Sequence, residues 1–486
     1  MPKPWNEEKN GPVKEFLHHF FQGQENERHA NELEACFDLM QDADSLGSIM
    51  KFDLSDSTRL MLQKTVDYWQ KESFVPEIIT TQMPAMQLIL ALTEKYHALV
   101  MNPPYMGRSG MNDILTKYIH TFYSKGKWDL FATFMLIAID RLHSCGKMAM
   151  INMHSWMFLD AFEDLRIYIV KNYQIDNMIH LGPNTFDELS GEVVQNTTFV
   201  ITKNTPKTKG IYYRLSTGIN CDDKRQMFIR QEQKYMDVHQ SLFETIPSSP
   251  IAYWLSDDWF DLFKRNSVID VATSKAGIVS GDDTYFVKYW HEVTLHDIAF
   301  EGKKVYAKYH TFQKGGTNRK YFGNNEFVFR LQDFWNEKFY NKSMRRGDED
   351  SYFKKGIGWS YTGSTDNKAF RQIENCVCGT GTPTIYAKED SDFLYLMGYL
   401  NSKITAFLLP ILNPTLSLAP GYVARLPFVD TTNKENINQL AQDNISISKQ
   451  DWDAHETSWD FQRNELTPDV PQNEITILQQ GEISIE

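Results

Sequence analysis

The tetrapeptide Asn102-Pro103-Pro104-Tyr105 combines residue types that can act on an exocyclic amine. Such an amine is a poor nucleophile because its lone pair is delocalised into the ring, and two acceptors aimed at its hydrogens return that lone pair to nitrogen. The side-chain carbonyl of Asn102 and the backbone carbonyl of Pro103 are such acceptors, and the two prolines stiffen the turn that aims them. The ring of Tyr105 can stack on a base that has left the duplex. This chemistry needs neither a metal nor a covalent intermediate.

The surrounding pattern predicts where this corner lies in a fold. Residues 97–101 (HALVM) form a short apolar run that stops at Asn102, as a buried strand would. Asp129 can cap an apolar helix, and strand-like, helix-like and strand-like segments follow at residues 147–153, 158–171 and 174–182. This order predicts half of a doubly wound α/β sheet, whose ligands lie at the carboxyl ends of its strands. Asn-Pro-Pro also occurs in ordinary turns, and its position after a strand favours the functional interpretation.

Beyond residue 182 the pattern changes. Two further strand-like segments, EVVQNTTFVITKN and GIYYRLST, are expected to pair antiparallel around the turn-forming residues 203–209. After Gly218 the regular alternation is lost, and short aromatic strands and glycine turns predict a mixed α+β domain. The predicted organisation is a mostly helical lead-in (1–82), the sheet with the Asn-Pro-Pro-Tyr corner (83–217), a linker (218–254), the mixed α+β domain (255–430) and an acidic tail (431–486).

Composition excludes several classes of protein. The 486 residues are 42% hydrophobic and 23% charged, which is typical of globular chains and not of collagen-like, coiled-coil or wholly disordered ones. The five cysteines are scattered, so we expect a reducing compartment and neither a disulfide scaffold nor a zinc site. The N-terminus has no apolar signal core, and the longest apolar run is too short to cross a bilayer. These features predict a cytoplasmic protein with no bound metal and no membrane partner.

The charge is unevenly distributed. The net charge is −13, of which −8 lies in residues 431–486, where the sequence predicts a segment that docks weakly or stays mobile. Residues 301–320 hold six Lys/Arg and one Glu, with aromatic residues between them. Such a stretch can meet phosphates, although a solvated loop is the simpler interpretation. The predicted DNA-binding residues are Lys303, Lys304, Lys308, Lys314, Arg319 and Lys320.

Several stretches together carry a resemblance to a known family. HALVMNPPYMG, DLFATFMLIAIDRL and FDELSGEVVQNTTFVI resemble the gamma-class adenine-specific DNA methyltransferases, and with IVSGDDTYFVKYWHEV and LNSKITAFLLPILNPTLSLAPGYVARLPF the chain is similar to the PglX-type enzymes of BREX phage-defence systems. The resemblance spans residues 31–463. It implies an S-adenosylmethionine-dependent methyltransferase fold. The implied activity is methylation of the N6 amino group of adenine in double-stranded DNA, and the implied protein partners are other BREX-type proteins. It assigns Asn102, Pro103, Pro104 and Tyr105 to the amine site.

The same resemblance places Phe199 on the other face of the extruded base. A plain core phenylalanine is an equal alternative, because alternating strand positions bury Phe routinely.

The chain departs from the family in its cofactor motif. Relatives carry a glycine-rich turn before the Asn-Pro-Pro-Tyr strand, whereas only Gly11, Gly23 and Gly47 precede Asn102 here. The glycine turn at residues 378–383 is an unlikely substitute, because strand-like residues follow it where the cofactor motif has a helix. Ser48 stands near a position where relatives tend to have an acidic residue. The chain therefore resembles a truncated member, the catalytic half without its cofactor motif, and we expect little activity unless a separate chain supplies the cofactor half.

Two other functions stay open. The chain can be a non-catalytic DNA-recognition or assembly subunit that uses residues 255–430. Enzymes that methylate a glutamine amide in proteins also use Asn-Pro-Pro-Tyr, but they are small and lack a long recognition region. Asp282 and Asp283 have no third carboxylate and lysine in a nuclease arrangement, so we expect no restriction activity.

Overall fold

The structure is a computed structural model that describes residue 17 and residues 24–186, 194–302, 307–336, 341–363, 368–429 and 431–463. The chain divides into two compact units, Met1–Phe260 and Asp261–Glu486. Within the described ranges, no helix is long and apolar enough to cross a membrane.

The first unit starts with helices and continues as alternating helices and strands. Its helices are α1 (Gln24–Leu39), α2 (Ala43–Leu46), α3 (Asp56–Trp69), α4 (Glu77–Thr93), α5 (Asp113–Phe122), α6 (Leu130–Arg141), α7 (Glu163–Asn172) and α8 (Cys221–Ile229). Its strands are β1 (Tyr96–Met101), β2 (Leu142–Met153), β3 (Gln174–Gly182), β4 (Asn196–Thr202), β5 (Gly210–Arg214) and β6 (Lys234–Val238). The predicted strand at residues 174–182 is confirmed residue for residue.

The six strands form one mixed sheet in the order β1-β2-β4-β3-β5-β6. The pairs β1–β2 and β3–β5 are parallel, and the pairs β2–β4, β3–β4 and β5–β6 are antiparallel. Strands β1, β2, β3 and β5 therefore run in one direction, and β4 and β6 run against them. The carboxyl ends of the first set and the amino ends of β4 and β6 meet at one edge, here called the carboxyl edge.

The predicted antiparallel pairing of the two closing strands, β4 and β5, is wrong. Strand β4 lies between β2 and β3, and β5 pairs in parallel with the far side of β3, as in the register of Asn177 with Ile211. Because β2 and β3 occupy both edges of β4, no edge is left for β5. The turn-forming residues 203–209 therefore pass the amino end of β3 to reach β5 instead of making a tight hairpin.

Helix α6 shows why the local sequence folds as it does. Asp129 is its N-cap, and the carboxylate accepts the backbone N–H of Phe131 at 3.2 Å, as the sequence predicts. Nine of its twelve residues are buried, so the helix is apolar on nearly every side and belongs to the core. Phe131 is fully buried there and packs against Phe162.

Residues 218–254 are not a linker. Helix α8 and strand β6 lie within them, and β6 extends the sheet at β5. Phe243, Ile251 and Tyr253 are fully buried, and the ring of Tyr253 stacks on Tyr212 of β5 at 4.9 Å. These apolar side chains are spaced irregularly in the sequence, which is why their burial in the first unit is visible only in the structure.

The second unit contains two sheets and several short helices, as a mixed α and β pattern predicts. A short helix, α9 (Asp257–Leu262), spans the division between the units. The strands are β7 (Ala272–Lys275), β8 (Val287–Tyr289), β9 (Ile298–Ala299), β10 (Tyr309–Gln313), β11 (Phe327–Phe329), β12 (Gly356–Trp359), β13 (Phe370–Ile373), β14 (Val377–Cys378) and β15 (Thr384–Ala387). The helices are α10 (Val268–Val271), α11 (Asp283–Phe286), α12 (Leu331–Phe334), α13 (Phe393–Leu400), α14 (Lys403–Leu412), α15 (Pro420–Ala424) and α16 (Lys434–Asp453).

One sheet has the order β14-β10-β11-β8, with β9 also paired to β10, and the other has the order β13-β12-β15-β7. An aromatic cluster that includes Phe286, Phe312, Phe329 and Phe334 packs beside the first of these sheets.

The start of the predicted acidic tail is an integral part of the second unit. Helix α16 packs against α13, and its residues Ala441, Ile445 and Trp452 are buried. Lys434 also pairs with Asp392 at 2.6 Å. The prediction of a weakly docked segment is therefore wrong for residues 431–463, because widely spaced apolar residues form one buried helix face. Residues 464–486 lie outside the described residues.

Candidate active site at the carboxyl edge of the first sheet

The Asn-Pro-Pro-Tyr corner lies at the carboxyl end of β1. Asn102 is exposed, Pro103 is buried, and residues 104–110 are all exposed. The buried proline anchors the corner while Asn102 and Tyr105 remain open to solvent. A corner that is open to solvent is what the predicted binding of an extruded base requires.

The loop after Tyr105 is tied to the start of α6. The Met106 N–H donates to the Asp129 carboxylate at 3.1 Å, and the Leu130 N–H donates to the Met106 carbonyl at 3.0 Å. Burial raises the pKa of Asp129, and backbone N–H groups, including that of Phe131, act against this increase. Asp129 therefore both caps α6 and anchors the residue that follows Tyr105.

Tyr105 is held at two places. Its hydroxyl accepts a hydrogen bond from Nδ2 of Asn196 at 2.9 Å, and its ring meets Phe131 edge-on, with centroids 6.2 Å apart. About a third of the residue stays exposed, at 36%. Burial raises the pKa of Tyr105, so the hydroxyl remains protonated at neutral pH.

Two buried asparagines stand behind this ring. Asn196 begins β4 and Asn152 lies near the end of β2, so both reach the carboxyl edge, and neither is exposed. The Oδ1 atoms of both have no hydrogen-bond partner among the described residues. Sequence analysis missed both residues; the available signals were a polar residue at the start of β4 and one near the end of the apolar β2.

A pair of histidines lies at the same edge. Nδ1 of His154 and Nε2 of His180 are 2.8 Å apart, and the backbone N–H of His154 donates to the carbonyl of Gln195, next to Asn196. Burial lowers the pKa of His154 to about 4, and burial and the charges nearby lower that of His180. The pair is therefore neutral at physiological pH. It supports the edge through packing and a hydrogen bond.

Phe199 lies in the core of the sheet. It is 1% exposed, stands opposite Met150 and Met178 on the neighbouring strands, and packs edge-on against Trp156 at 5.2 Å. This placement favours the core interpretation of Phe199 over stacking on a base. The resemblance cannot distinguish these interpretations, because both require an aromatic residue on this strand.

The glycine turn at residues 378–383 is filled by protein. A Cβ atom on Gly381 would lie 2.2 Å from the backbone carbonyl of Lys314, and one on Gly379 would lie 2.7 Å from the ring of Phe312. Strand β15 follows this turn, as the sequence predicts. These glycines allow close packing between strands, so this turn offers no space for S-adenosylmethionine.

A cavity of about 570 Å³ in the first unit lies away from the corner. Its lining includes Lys95 and Tyr123, and also His143 near the start of β2. Because Lys95 immediately precedes β1, this cavity lies at the amino ends of these strands. Parallel sheets bind ligands at the opposite edge, so this cavity is not the predicted amine site.

Four of the six predicted DNA-binding residues are described, and each of these four contacts a neighbouring group. Lys303 and Lys304 lie outside the described residues. Lys314 pairs with Asp283 at 3.0 Å, and Arg319 pairs with Asp451. The other two contact neighbouring residues. Lys320 donates a hydrogen bond to the carbonyl of Asn401 at 3.2 Å, and Nζ of Lys308 lies 5.7 Å from the ring centroid of Tyr309.

Known proteins resemble this chain. Residues 17–186 match the Eco57I restriction-modification methylase family. Over 439 residues, which are 88% of this chain and 36% of the relative, it is 31% identical to the adenine-specific methyltransferase BrxX of Escherichia coli O9:H4 (strain HS). Over 458 residues, 88% of this chain and 38% of the relative, it is 30% identical to the adenine-specific methyltransferase PglX of Lacticaseibacillus casei (strain Zhang).

Among solved structures, a nuclease-deletion mutant of the Type ISP restriction-modification enzyme LlaGI with a DNA substrate mimic aligns with a TM-score of 0.47 at 13% identity. That alignment covers 85% of this chain and 39% of the other. The chain spans a little over a third of the length of the curated relatives it matches. Over 88% of its own length, the chain is similar to the BrxX and PglX adenine-specific methyltransferases, which confirms the resemblance seen in its motifs.

Proposed function

We propose that this chain carries the base-binding half of a site-specific DNA methyltransferase in BREX-type phage defence. The enzyme would transfer a methyl group from S-adenosylmethionine to the N6 amino group of adenine in double-stranded DNA. The observation that carries the proposal is the open Asn-Pro-Pro-Tyr corner at the carboxyl edge, with Asn102 and Tyr105 exposed. Chromosomal and phage DNA are cytoplasmic in bacteria, and we propose that location for the protein.

In this proposal each residue of the corner has one task. Oδ1 of Asn102 and the carbonyl oxygen of Pro103 accept the two N–H groups of the amine, which returns the lone pair to nitrogen. Pro104 restricts the backbone between them. Tyr105, held by Asn196, stacks on the base. The relatives named adenine-specific methyltransferases support adenine as the base.

The described residues do not form a cradle for S-adenosylmethionine. Before Asn102 only Gly47 is a described glycine, and it follows the four-residue helix α2 and not a strand. The turn with Gly379 and Gly381 is filled by protein. We propose that polypeptide outside these residues, on a separate chain, supplies the cofactor site.

The edge of the sheet supports this division. Among the described strands β1 pairs only with β2, so its other edge is open. Val100 on this strand is 80% exposed, although parallel strands are normally covered on both faces. An added strand that carries the cofactor site would pair with this edge, and the polypeptide joined to it would cover the face of β1 on which Val100 is exposed.

The missing cradle also favours a second candidate function, a non-catalytic DNA-recognition or assembly subunit. In that case the second unit would make the DNA contacts, through Lys308, Lys314, Arg319 and Lys320. Lys314 and Arg319 would first have to release their carboxylate partners.

Long-read sequencing of N6-methyladenine in a strain with the gene at its native locus tests these alternatives. For a methyltransferase we expect one modified motif in the wild type and none with Asn102→Ala, along with lost phage protection. Asn204→Ala, in the loop after β4 at the opposite edge, is the matched control and should methylate normally. Phage protection that survives Asn102→Ala would favour the non-catalytic subunit.

A further inference from the structure

A group of three side chains lies beside the corner, with Arg108 and Trp128 exposed and Lys127 half-buried. The guanidinium carbon of Arg108 is 5.8 Å from the ring centroid of Trp128, and Nζ of Lys127 is 5.5 Å from it. Trp128 is 40% exposed. Cation–π attraction favours conformations of both long side chains that lie near this one ring. We call these three residues the cation–tryptophan surface.

This surface is part of the same hydrogen-bonded structure that carries Tyr105. The Arg108 N–H donates to the Trp128 carbonyl at 3.2 Å, and Gly107 forms a bridge with Asp129. Arg108 follows Tyr105 by three residues on this anchored loop. The two cations therefore keep a defined position relative to the ring that would hold the base.

The charges of this surface are available. Among the ion pairs of the described residues, none involves Arg108 or Lys127. The neighbouring carboxylate, that of Asp129, accepts the backbone N–H groups of Met106 and Phe131. By contrast, Lys314 and Arg319 of the second unit each pair with a carboxylate. Cations without a carboxylate partner gain more from meeting phosphates, because they lose no existing ion pair.

We propose that Arg108 and Lys127 bind backbone phosphates of the DNA strand next to the extruded base, and that Trp128 positions both cations. This inference rests on the proposed function, because it places the duplex at the carboxyl edge. A base that leaves the helix needs its flanking phosphates held, since unstacking the base is unfavourable. Phosphate contacts carry no sequence information, so the surface would act on any DNA sequence.

The salt dependence of DNA binding tests this proposal. The full-length chain is titrated with a fluorescently labelled random-sequence duplex by anisotropy between 50 and 200 mM NaCl. Each phosphate contact contributes about 0.9 to the slope of log Kd against log salt, so Arg108→Gln with Lys127→Gln should lower that slope by about 1.8. Arg108→Lys with Lys127→Arg keeps both charges and should restore most of it.

Lys207→Gln is the matched control, because this exposed lysine precedes β5 at the opposite edge of the sheet. It should leave the slope unchanged. Four results would each overturn the proposal. Two concern the variants: an unchanged slope in the double Gln variant, or an equal loss of slope in the Lys207→Gln control. The other two concern the wild type: a steeper slope for duplex RNA than for duplex DNA, or no DNA binding at 50 mM NaCl. This titration does not depend on methylation. A wild type that never methylates would contradict the proposed function, and the salt dependence of its DNA binding could still be measured.

Discussion

The hydroxyl of Tyr105 accepts a hydrogen bond from the side-chain amide of Asn196, 2.9 Å away, although 91 residues separate the two in the chain. Asn196 is fully buried and Tyr105 is partly exposed. A rigid strand thereby controls the position of a ring on an exposed loop. This contact links the two parts of the sequence that resemble the methyltransferase family most clearly, the Asn-Pro-Pro-Tyr corner and the NTTFV strand.

The contact between Tyr105 and Asn196 is measurable by a double-mutant cycle. Tyr105→Phe and Asn196→Ala should each lower the free energy of unfolding, and their combined effect should be smaller than the sum by about 1 kcal/mol. Urea denaturation followed by tryptophan fluorescence gives these values. As a control, Asn196→Ala and Tyr168→Phe should be additive, because the Tyr168 hydroxyl pairs with Tyr173. Additivity in the first pair would show that the bond contributes nothing to stability.

Asp129 should be replaceable by Asn but not by Ala. Asp129→Ala removes the acceptor for Met106 and Phe131 and should lower the free energy of unfolding by about 1–2 kcal/mol. Asn keeps an acceptor without a buried charge, so Asp129→Asn should match or exceed the wild type at pH 7.

The direction of the pKa shift of Asp129 determines how its contribution to stability changes with pH. Burial raises the pKa of Asp129 in the folded state, so the folded chain holds this proton more tightly than the unfolded chain. The contribution of this group is greatest below its unfolded pKa and is lost as pH rises through the folded one. The advantage of Asp129→Asn over the wild type should therefore disappear on acidification in thermal unfolding. Equal losses for Asn and Ala at pH 7 would contradict the capping role.

Glu32 should make the helical lead-in sensitive to acid. Burial alone would raise its pKa, but hydrogen bonds from Thr58, Ser55 and Arg28 lower it from the ordinary 4.5 to about 2. Because the folded pKa is lowered, stability from this group is present above pH 4.5 and is lost as pH falls towards 2. Glu32→Gln should flatten this part of the melting temperature profile, whereas Glu72→Gln, an exposed carboxyl after α3, should leave it unchanged. A profile that Glu32→Gln leaves unaltered would be evidence against this hydrogen-bonded network.

Val100 should matter to assembly and not to the stability of the lone chain. Its side chain is 80% exposed, so Val100→Lys should change the free energy of unfolding by no more than about 0.5 kcal/mol. A charge at this place would hinder the polypeptide that accompanies an added strand from covering this face of β1, and N6-methyladenine should disappear in the strain that carries this variant. Ile219→Lys, at a site that is 77% exposed, is the control and should methylate normally. Normal methylation with Val100→Lys would refute an added strand there.

Local patterns predicted much of the first unit correctly. The strand before Asn102, the cap at Asp129 and the strand at residues 174–182 were all readable, because each depends on neighbouring residues. The burial expected for the strand before Asn102 was wrong, since no residue of β1 is buried among the described residues. The pairing of β4 and β5 was predicted wrongly, because a turn-rich connection predicts a hairpin only when both strand edges are free. The linker and the tail were predicted wrongly because sparse apolar residues bury a face only when another element covers them.

The sequence by itself determined which residues form the proposed amine-binding corner, because the acceptors, the prolines and the ring are consecutive residues. Only the tertiary structure decided what surrounds that corner. Asn196, Trp128 and Lys127 reach it through strand order and through the bridge between the loop and α6, which depend on contacts between distant segments. The burial of Phe199 was decided in the same way, since alternation assigns a residue to a face of a strand and packing decides which face is covered.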